Sequence, residues 1–396
     1  MKKTRIIFIF LFLACGALPL IFIDNKTKIS MLERRQLASL PWLISTGRFS
    51  KKYLAALPRQ TDAYITDRFG GRSALIFFMN NVNYFVLGKN HDNRLLVGKD
   101  KWLFYIDKSI GDEFANFKKT NLFNEEELWA FLKSITLIND YCETNNIKFL
   151  FMVVPDKPSV YPEKYPFPRP EGISLIEQIL AGLPENIRAK VIFPLDYFME
   201  KKKECPYPLY FNNGLHWTKM GVYYTYELLY EKLKAWFTNI PEPEFKFTPY
   251  MDYGEDNYAL WWGIKKFGAF MELVNIEPVD GWGSHYEYII CKNVPMNEFN
   301  RRESVDAMRG KFGIVTKNTD RTLPKALIMR DSYFVALEPF ISSIFSEVEY
   351  VWTQPEKRNV QYLIELPDKP DVFIWEIGER GLRAISKLQP GIFPYD

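Results

Sequence analysis

Histidine and cysteine are scarce in this chain, with three histidines and four cysteines in 396 residues. Cys15 lies in an N-terminal apolar run, which leaves Cys142, Cys205 and Cys291. An odd number of thiols cannot all pair, so a disulfide framework is not what holds the fold together. The spacings of these cysteines, and of His91, His216 and His285, match no metal-ligand pattern, so neither a metal nor another cofactor is expected. An excess of one charge is also lacking. The net charge of +3 gives no electrostatic footprint for nucleic acid. No internal repeat or low-complexity tract interrupts the chain.

What is present describes a protein with a large interior. Hydrophobic residues make up 47% and charged residues 25%, which suits one large globular unit or two units sharing a core. Aromatics reach 16%, enough either for an aromatic-rich core or for a groove that stacks on sugar faces. At the amino terminus Lys2, Lys3 and Arg5 precede an uncharged apolar run from Ile6 to Ile23, closed by Asp24-Asn25-Lys26. That is the pattern of a signal peptide or signal anchor, and it places the remainder outside the cytosol. The 18 residues of the run are at the lower limit for spanning a bilayer. No Ala-x-Ala-like cleavage site follows cleanly, so retention as a hydrophobic helix in the inner membrane is the expectation.

Periodicity divides the rest. Residues 1–28 form the targeting segment, and residues 29–123 a helical stretch followed by a hairpin around Leu95–Tyr105. In residues 124–238, a helix over Asn124–Asn146 feeds a β-favouring run, Ile147–Val154, and a second short strand follows at Val191. Thr218 then caps a helix to about Phe237. Residues 239–324, with Trp261-Trp262, read as an irregular, partly β insertion. Over residues 325–396 the α/β pattern resumes, with strands at Lys325–Met329, Glu347–Trp352 and Asp371–Glu376 and helices from about Leu337 and Gly378. Helices alternating with buried strands predict a parallel sheet flanked by helices.

Two stretches carry the chemistry. Ala326-Leu327-Ile328-Met329 runs into Arg330-Asp331-Ser332-Tyr333, a buried strand ending abruptly in a serine. His216 sits in Asn212-Asn213-Gly214-Leu215-His216-Trp217-Thr218, just before a helix amino terminus, where sites commonly lie. A serine and a histidine meeting across the fold make a nucleophile and its base. Each also has a plainer reading: His216 as a packing or capping residue, and Ser332 as the cap of the helix that follows. Arg330 and Lys157 flank the expected pocket, either to hold a substrate carboxylate or as solvated surface charge; Trp217 and Tyr333 are further candidate substrate contacts.

Leu96–Tyr105, Val154-Pro155-Asp156-Lys157, His216-Trp217-Thr218 with Gly221, and Asp331-Ser332 together resemble the SGNH-hydrolase-like domain of the alginate O-acetyltransferase (AlgX/AlgJ) family and its DHHW-type relatives. The resemblance implies a circularly permuted motif order, with the histidine before the nucleophilic serine. It also implies acetyl transfer to hydroxyls of an exopolysaccharide in the periplasm, as in alginate biosynthesis, with a membrane-bound O-acyltransferase supplying the acetyl group. Ser332 and His216 then take the catalytic roles. Members bearing Asp-x-His carry a carboxylate two residues before the histidine, where this chain has Gly214. Asn213, Asn212 or a more distant Asp156 are the alternative orienting groups. A catalytically silent glycan-binding or scaffold member, and a carbohydrate acetylesterase, stay open beside the transferase.

Overall fold

A computed structural model describes residues 6, 21–30, 35–41, 51–87, 94–106, 111–252, 271–279, 286–290, 314–352 and 361–385. His91, His285, Cys15, Cys291, the Trp261-Trp262 pair and most of the N-terminal apolar run lie outside them. Among the described residues no helix is long and apolar enough to cross a membrane. The chain divides into two compact units, residues 1–92 with 257–267 and residues 93–256 with 268–396.

In the first unit a two-residue ladder joins β1 (Ile29–Ser30) to β2 (Arg35–Gln36), and helices α1 (Lys51–Arg68) and α2 (Arg72–Asn81) follow. Gly71 turns the chain between the helices at φ +81°, a conformation that favours glycine. The Asp67 carboxylate accepts both Arg35 Nη atoms (2.5 and 2.7 Å) and the Ala38 N–H (2.8 Å). Those bonds hold its pKa down at about 2.

The second unit is built on a seven-stranded sheet. Its hairpin, β3 (Leu95–Val97) with β4 (Leu103–Tyr105), is antiparallel as the sequence suggests, and its strands are joined through a 3₁₀ turn at Lys99–Lys101 with Asp100 and Lys101 at positive φ. The helix α3 (Glu113–Lys118) leads to α4 (Glu125–Thr144), which starts at a capping box in which Asn124 and Glu127 bond each other's backbone N–H. Phe131, Ile135, Ile138 and Cys142 line its buried face at helical spacing. That face covers β5 (Lys148–Val154), which is buried at every position but its first residue, as a central parallel strand must be.

The short helix α5 (Lys157–Val160), α6 (Leu175–Gly182), strand β6 (Val191–Ile192), α7 (Leu195–Glu204) and α8 (Lys219–Trp236) complete the first half. Strands β7 (Phe245–Asp252) and β8 (Met271–Pro278) pair antiparallel, and Phe245 and Phe247 set their rings edge-on against Tyr223 of α8. The expected insertion also supplies β9 (Tyr286–Ile290) and β10 (Ile314–Asn318) to the main sheet. Strands β11 (Lys325–Arg330), β12 (Glu347–Trp352) and β13 (Val372–Gly378) finish it. The spatial order is β6-β5-β13-β11-β12-β10-β9; the first five strands pair parallel, β10 pairs antiparallel with β12, and β9 pairs antiparallel with β10.

On one face of the sheet every second residue, Phe149, Phe151 and Val153 on β5, Leu327 and Met329 on β11, Phe373 and Trp375 on β13, joins Phe131, Ile135 and Ile179 in one apolar core. The chain passes from β11 to β12 on one side and then to β13 on the other. The carboxyl end of β11 is therefore a topological switch point, where crevices open in parallel α/β sheets.

Gly221, in the first turn of α8, has no room for a side chain. A Cβ there would strike the Leu209 carbonyl oxygen and approach Trp217 Cβ to 2.9 Å. Gly221→Ala is expected to cost about 1–3 kcal/mol in denaturant unfolding, with the loss concentrated in the loop before α8; an unchanged midpoint would contradict this packing.

Candidate active site

Ser332 lies two residues beyond β11, in the bend that leads to a 3₁₀ turn at Phe334–Ala336. His216 lies two residues before Thr218, whose hydroxyl caps α8 by accepting the Met220 N–H (3.2 Å). The stretch carrying His216 is folded back on itself: Tyr210 pairs with Trp217, the Phe211 N–H reaches the His216 carbonyl (3.2 Å), and Thr218 N–H reaches Leu209 (2.9 Å). These two stretches meet. His216 Nε2 lies 2.8 Å from Ser332 Oγ, both side chains being half-buried and so reachable from solvent. Neither residue serves as a helix cap, because Thr218 does the capping at α8 and the turn after Ser332 receives no side-chain cap.

The backbone around the serine is tightly determined. Asp331 does not face the histidine; its carboxylate accepts the Tyr333 N–H and the Gly378 N–H, each at 2.8 Å, and fixes the bend against the end of β13. Its own N–H donates to the buried Glu376 carboxyl (2.8 Å), which burial and the nearby Asp331 charge push well above the usual carboxylate range. Between these two engaged amides, the Ser332 N–H makes no hydrogen bond among the described residues.

Tyr333 joins the serine bend to the histidine loop. Its hydroxyl donates to the Leu215 carbonyl (3.1 Å), its carbonyl accepts from Trp217 Nε1 (3.1 Å), and its ring stands edge-on to the imidazole with centroids 5.1 Å apart. Both neighbours of His216 are thus held by the residue after the serine. Tyr333 and Trp217, candidates for substrate contact, are turned inward and spend their polar atoms here.

Arg330 and Lys157 are corrected likewise: neither is a surface or pocket charge. Arg330 is 1% exposed and pairs with the buried Glu338 (2.7 Å). Lys157, also 1% exposed, directs its ammonium to the carbonyls of Leu103, Phe211 (3.2 Å) and Gly214. Desolvating an ammonium is costly, and backbone dipoles compensate it here. The carbonyl of Gly214, where the family's carboxylate would stand, is therefore one of the anchor points of the loop.

Asp156 is no swinging orienting group. It is fully buried, with its carboxylate paired to Arg380 Nη2 (2.7 Å) and accepting from Asn116 (3.1 Å). Asn212 and Asn213 are also fully buried, and the Asn212 carbonyl accepts the Leu103 N–H (2.7 Å). Sequence reasoning missed Arg380, whose Nη2 also pairs with Glu113 (3.2 Å) and donates to the Tyr333 hydroxyl (2.5 Å). The available signal was Glu376-Ile377-Gly378-Glu379-Arg380, charge placed abruptly at the end of an apolar strand. Glu379 completes the cluster by accepting the Asp156 N–H and the Ser159 hydroxyl, each at 2.9 Å. No group of histidine, cysteine, aspartate and glutamate suited to a metal occurs among the described residues.

A mixed sheet with a serine at the carboxyl end of a central strand, facing a histidine from the loop before a helix, is an SGNH-hydrolase-like arrangement. Residues 95–254 match the model of the SGNH hydrolase-like domain of the acetyltransferase AlgX, a stretch that includes His216 and ends before Ser332. Among solved structures the chain is similar to Bacillus cereus PatB1, at 16% identity and TM-score 0.50 over 73% of this chain and 96% of that one. PatB1 has also been solved with a sulfonyl adduct. A DHHW family protein from Eubacterium siraeum aligns at 14% identity and TM-score 0.48, over 75% and 95% of the two chains. The O-acetyltransferase domain of Pseudomonas putida AlgJ aligns at 16% identity and TM-score 0.41, over 73% and 92%. No curated protein matches the sequence.

Two predictions follow from the interior charges. Lys157→Met leaves three carbonyls without their donor and is expected to cost about 1–3 kcal/mol in urea unfolding; a cost within measurement error would contradict the anchoring role. Burial, opposed by Arg380 and reinforced by Asp156, raises Glu113 from 4.5 to about 8, and burial with Asp156 raises Glu379 to about 7. The folded state then binds more protons than the unfolded one between pH 4.5 and about 8, so unfolding free energy falls as pH rises through that window. Glu113→Gln should flatten the slope, and an unchanged slope would show that Glu113 does not titrate there.

Proposed function

We propose that the chain is an extracytoplasmic O-acetyltransferase acting on polysaccharide hydroxyls through an acyl-serine on Ser332. The observation that carries the reading is the 2.8 Å approach of His216 Nε2 to Ser332 Oγ at the carboxyl end of β11, in a chain whose residues 95–254 match the AlgX domain model. In the proposed reaction, Ser332 Oγ attacks the acetyl carbonyl while His216 Nε2 accepts its proton. The oxyanion of the tetrahedral intermediate is positioned for the Ser332 N–H, which no group among the described residues occupies. Collapse expels the donor's alkoxide or thiolate, which takes the proton from His216 and leaves acetyl-Ser332. A sugar hydroxyl then attacks this ester, His216 accepts its proton, and the proton returns to Ser332 Oγ as the acetylated sugar departs.

Donor and location follow from the same reading. The donor would be a membrane-bound O-acyltransferase working from the cytosolic side, and residues 6–23 would keep the chain at the inner membrane. Water in place of the sugar would make the enzyme an acetylesterase, so the balance depends on how well water is excluded once the ester has formed.

Gly214 favours a second reading, a catalytically silent glycan-binding or scaffold subunit, because losing the orienting carboxylate of a triad costs on the order of 10⁴-fold in turnover. The readings separate on p-nitrophenyl acetate and an oligosaccharide acceptor. The transferase reading expects ester cleavage and mass-detectable acetylation of the sugar, both reduced at least about 10³-fold by Ser332→Ala or His216→Ala, and labelling of Ser332 by a sulfonyl fluoride. A chain that binds the oligosaccharide, turns over no ester and is indifferent to Ser332→Ala would be the scaffold.

A further inference from the structure

Helix α2 and the turn after it are amphipathic in the wrong sense for water. Arg72, Ile76, Asn80 and Tyr84, at successive fourth positions, form the more protected side, and two of the four are polar. Leu75 and Phe78 lie on the other flank, with Met79 at its border with the Arg72 stripe and Val86 in the turn beyond, and the four are 52%, 60%, 48% and 72% exposed. Contiguous exposed aromatic and aliphatic side chains of this kind mark a contact surface.

The N-terminal segment beside α2 identifies what that surface meets. The apolar run Ile6–Ile23 ends beside the start of α2: the Asp24 N–H donates to the Arg68 carbonyl (2.8 Å), and Arg68 Nη1 donates to the carbonyls of Asp24 (2.9 Å) and Thr27 (2.8 Å). Phe22 is packed onto Gly70 so closely that a Cβ there would lie 2.5 Å from Phe22 Cβ and 2.6 Å from its carbonyl oxygen. One residue later α2 begins at its Gly71 cap. Wherever residues 6–23 leave a bilayer, the first turn of α2 is held at that point.

From this we infer that α2 lies in the membrane interface, with Leu75, Phe78, Met79 and Val86 among the lipid chains, a second apolar contact beside the N-terminal segment. Such a helix shares the adhesion of a short, 18-residue span and fixes the first unit's orientation to the bilayer. The inference rests on the proposed retention of residues 6–23. It is tested with p-benzoylphenylalanine placed singly at positions 75, 78, 79 and 80 of the full chain in native membranes, followed by irradiation and mass spectrometry. Phospholipid adducts at 75, 78 and 79, and their absence at 80, are expected. Protein adducts at those three positions, or no adduct while the intact chain remains in the membrane fraction, would overturn the interfacial helix and leave the anchor standing. A mature chain whose intact mass lacks residues 1–23 would overturn the anchor and the helix together.

Discussion

The contact between Ser332 and His216 exists because Tyr333 holds three parts of the second unit at once. Its amide is pinned by Asp331, its hydroxyl and carbonyl grip the two residues that flank the histidine, and its ring meets the imidazole edge-on. Burial keeps the phenol protonated, well above its usual titration range, so it remains a donor to Leu215 while accepting from Arg380. A serine and a histidine 116 residues apart in sequence are thereby set as neighbours by the residue next to one of them.

Behind Tyr333 lies a second layer of buried charge. Arg380 gathers Asp156, Glu113 and the Tyr333 hydroxyl, while Lys157, adjacent to Asp156, fastens the far side of the histidine loop through Phe211 and Gly214. Buried ionic groups seldom add net stability over apolar ones, but they tolerate only the geometry that satisfies them. Here that geometry is the placement of one loop. The loop that carries Gly214 two residues before His216 is thus strongly positioned by its backbone, through the Phe211 and Gly214 carbonyls that Lys157 holds.

Most of the fold was legible because its signals were local. The α4 helix announced itself through Asn124, the acidic first turn and the spacing of Phe131, Ile135 and Ile138, and β5 and β11 through apolar runs with no room for polar alternation. The serine and histidine stood out because each ends one local pattern and begins another. What remained hidden was non-local. Nothing in the sequence around Lys157 or Arg330 distinguishes a surface cation from one whose partners are carbonyls and a carboxylate far along the chain, so both were read outward. The roles of Arg380 and Glu113 were invisible for the same reason, and β9 and β10 were concealed in a stretch whose strands find partners only across the sheet.

The central claim is that the Ser332–His216 pair forms an acyl-enzyme. Its most direct measurement is intact-protein and peptide mass spectrometry after rapid quenching of the chain with an activated acetyl ester. The account predicts one acetyl group on the peptide containing Ser332, absent from Ser332→Ala and strongly diminished in His216→Ala. Acetylation that spares Ser332, or no covalent acetyl at all in a folded chain, would contradict it.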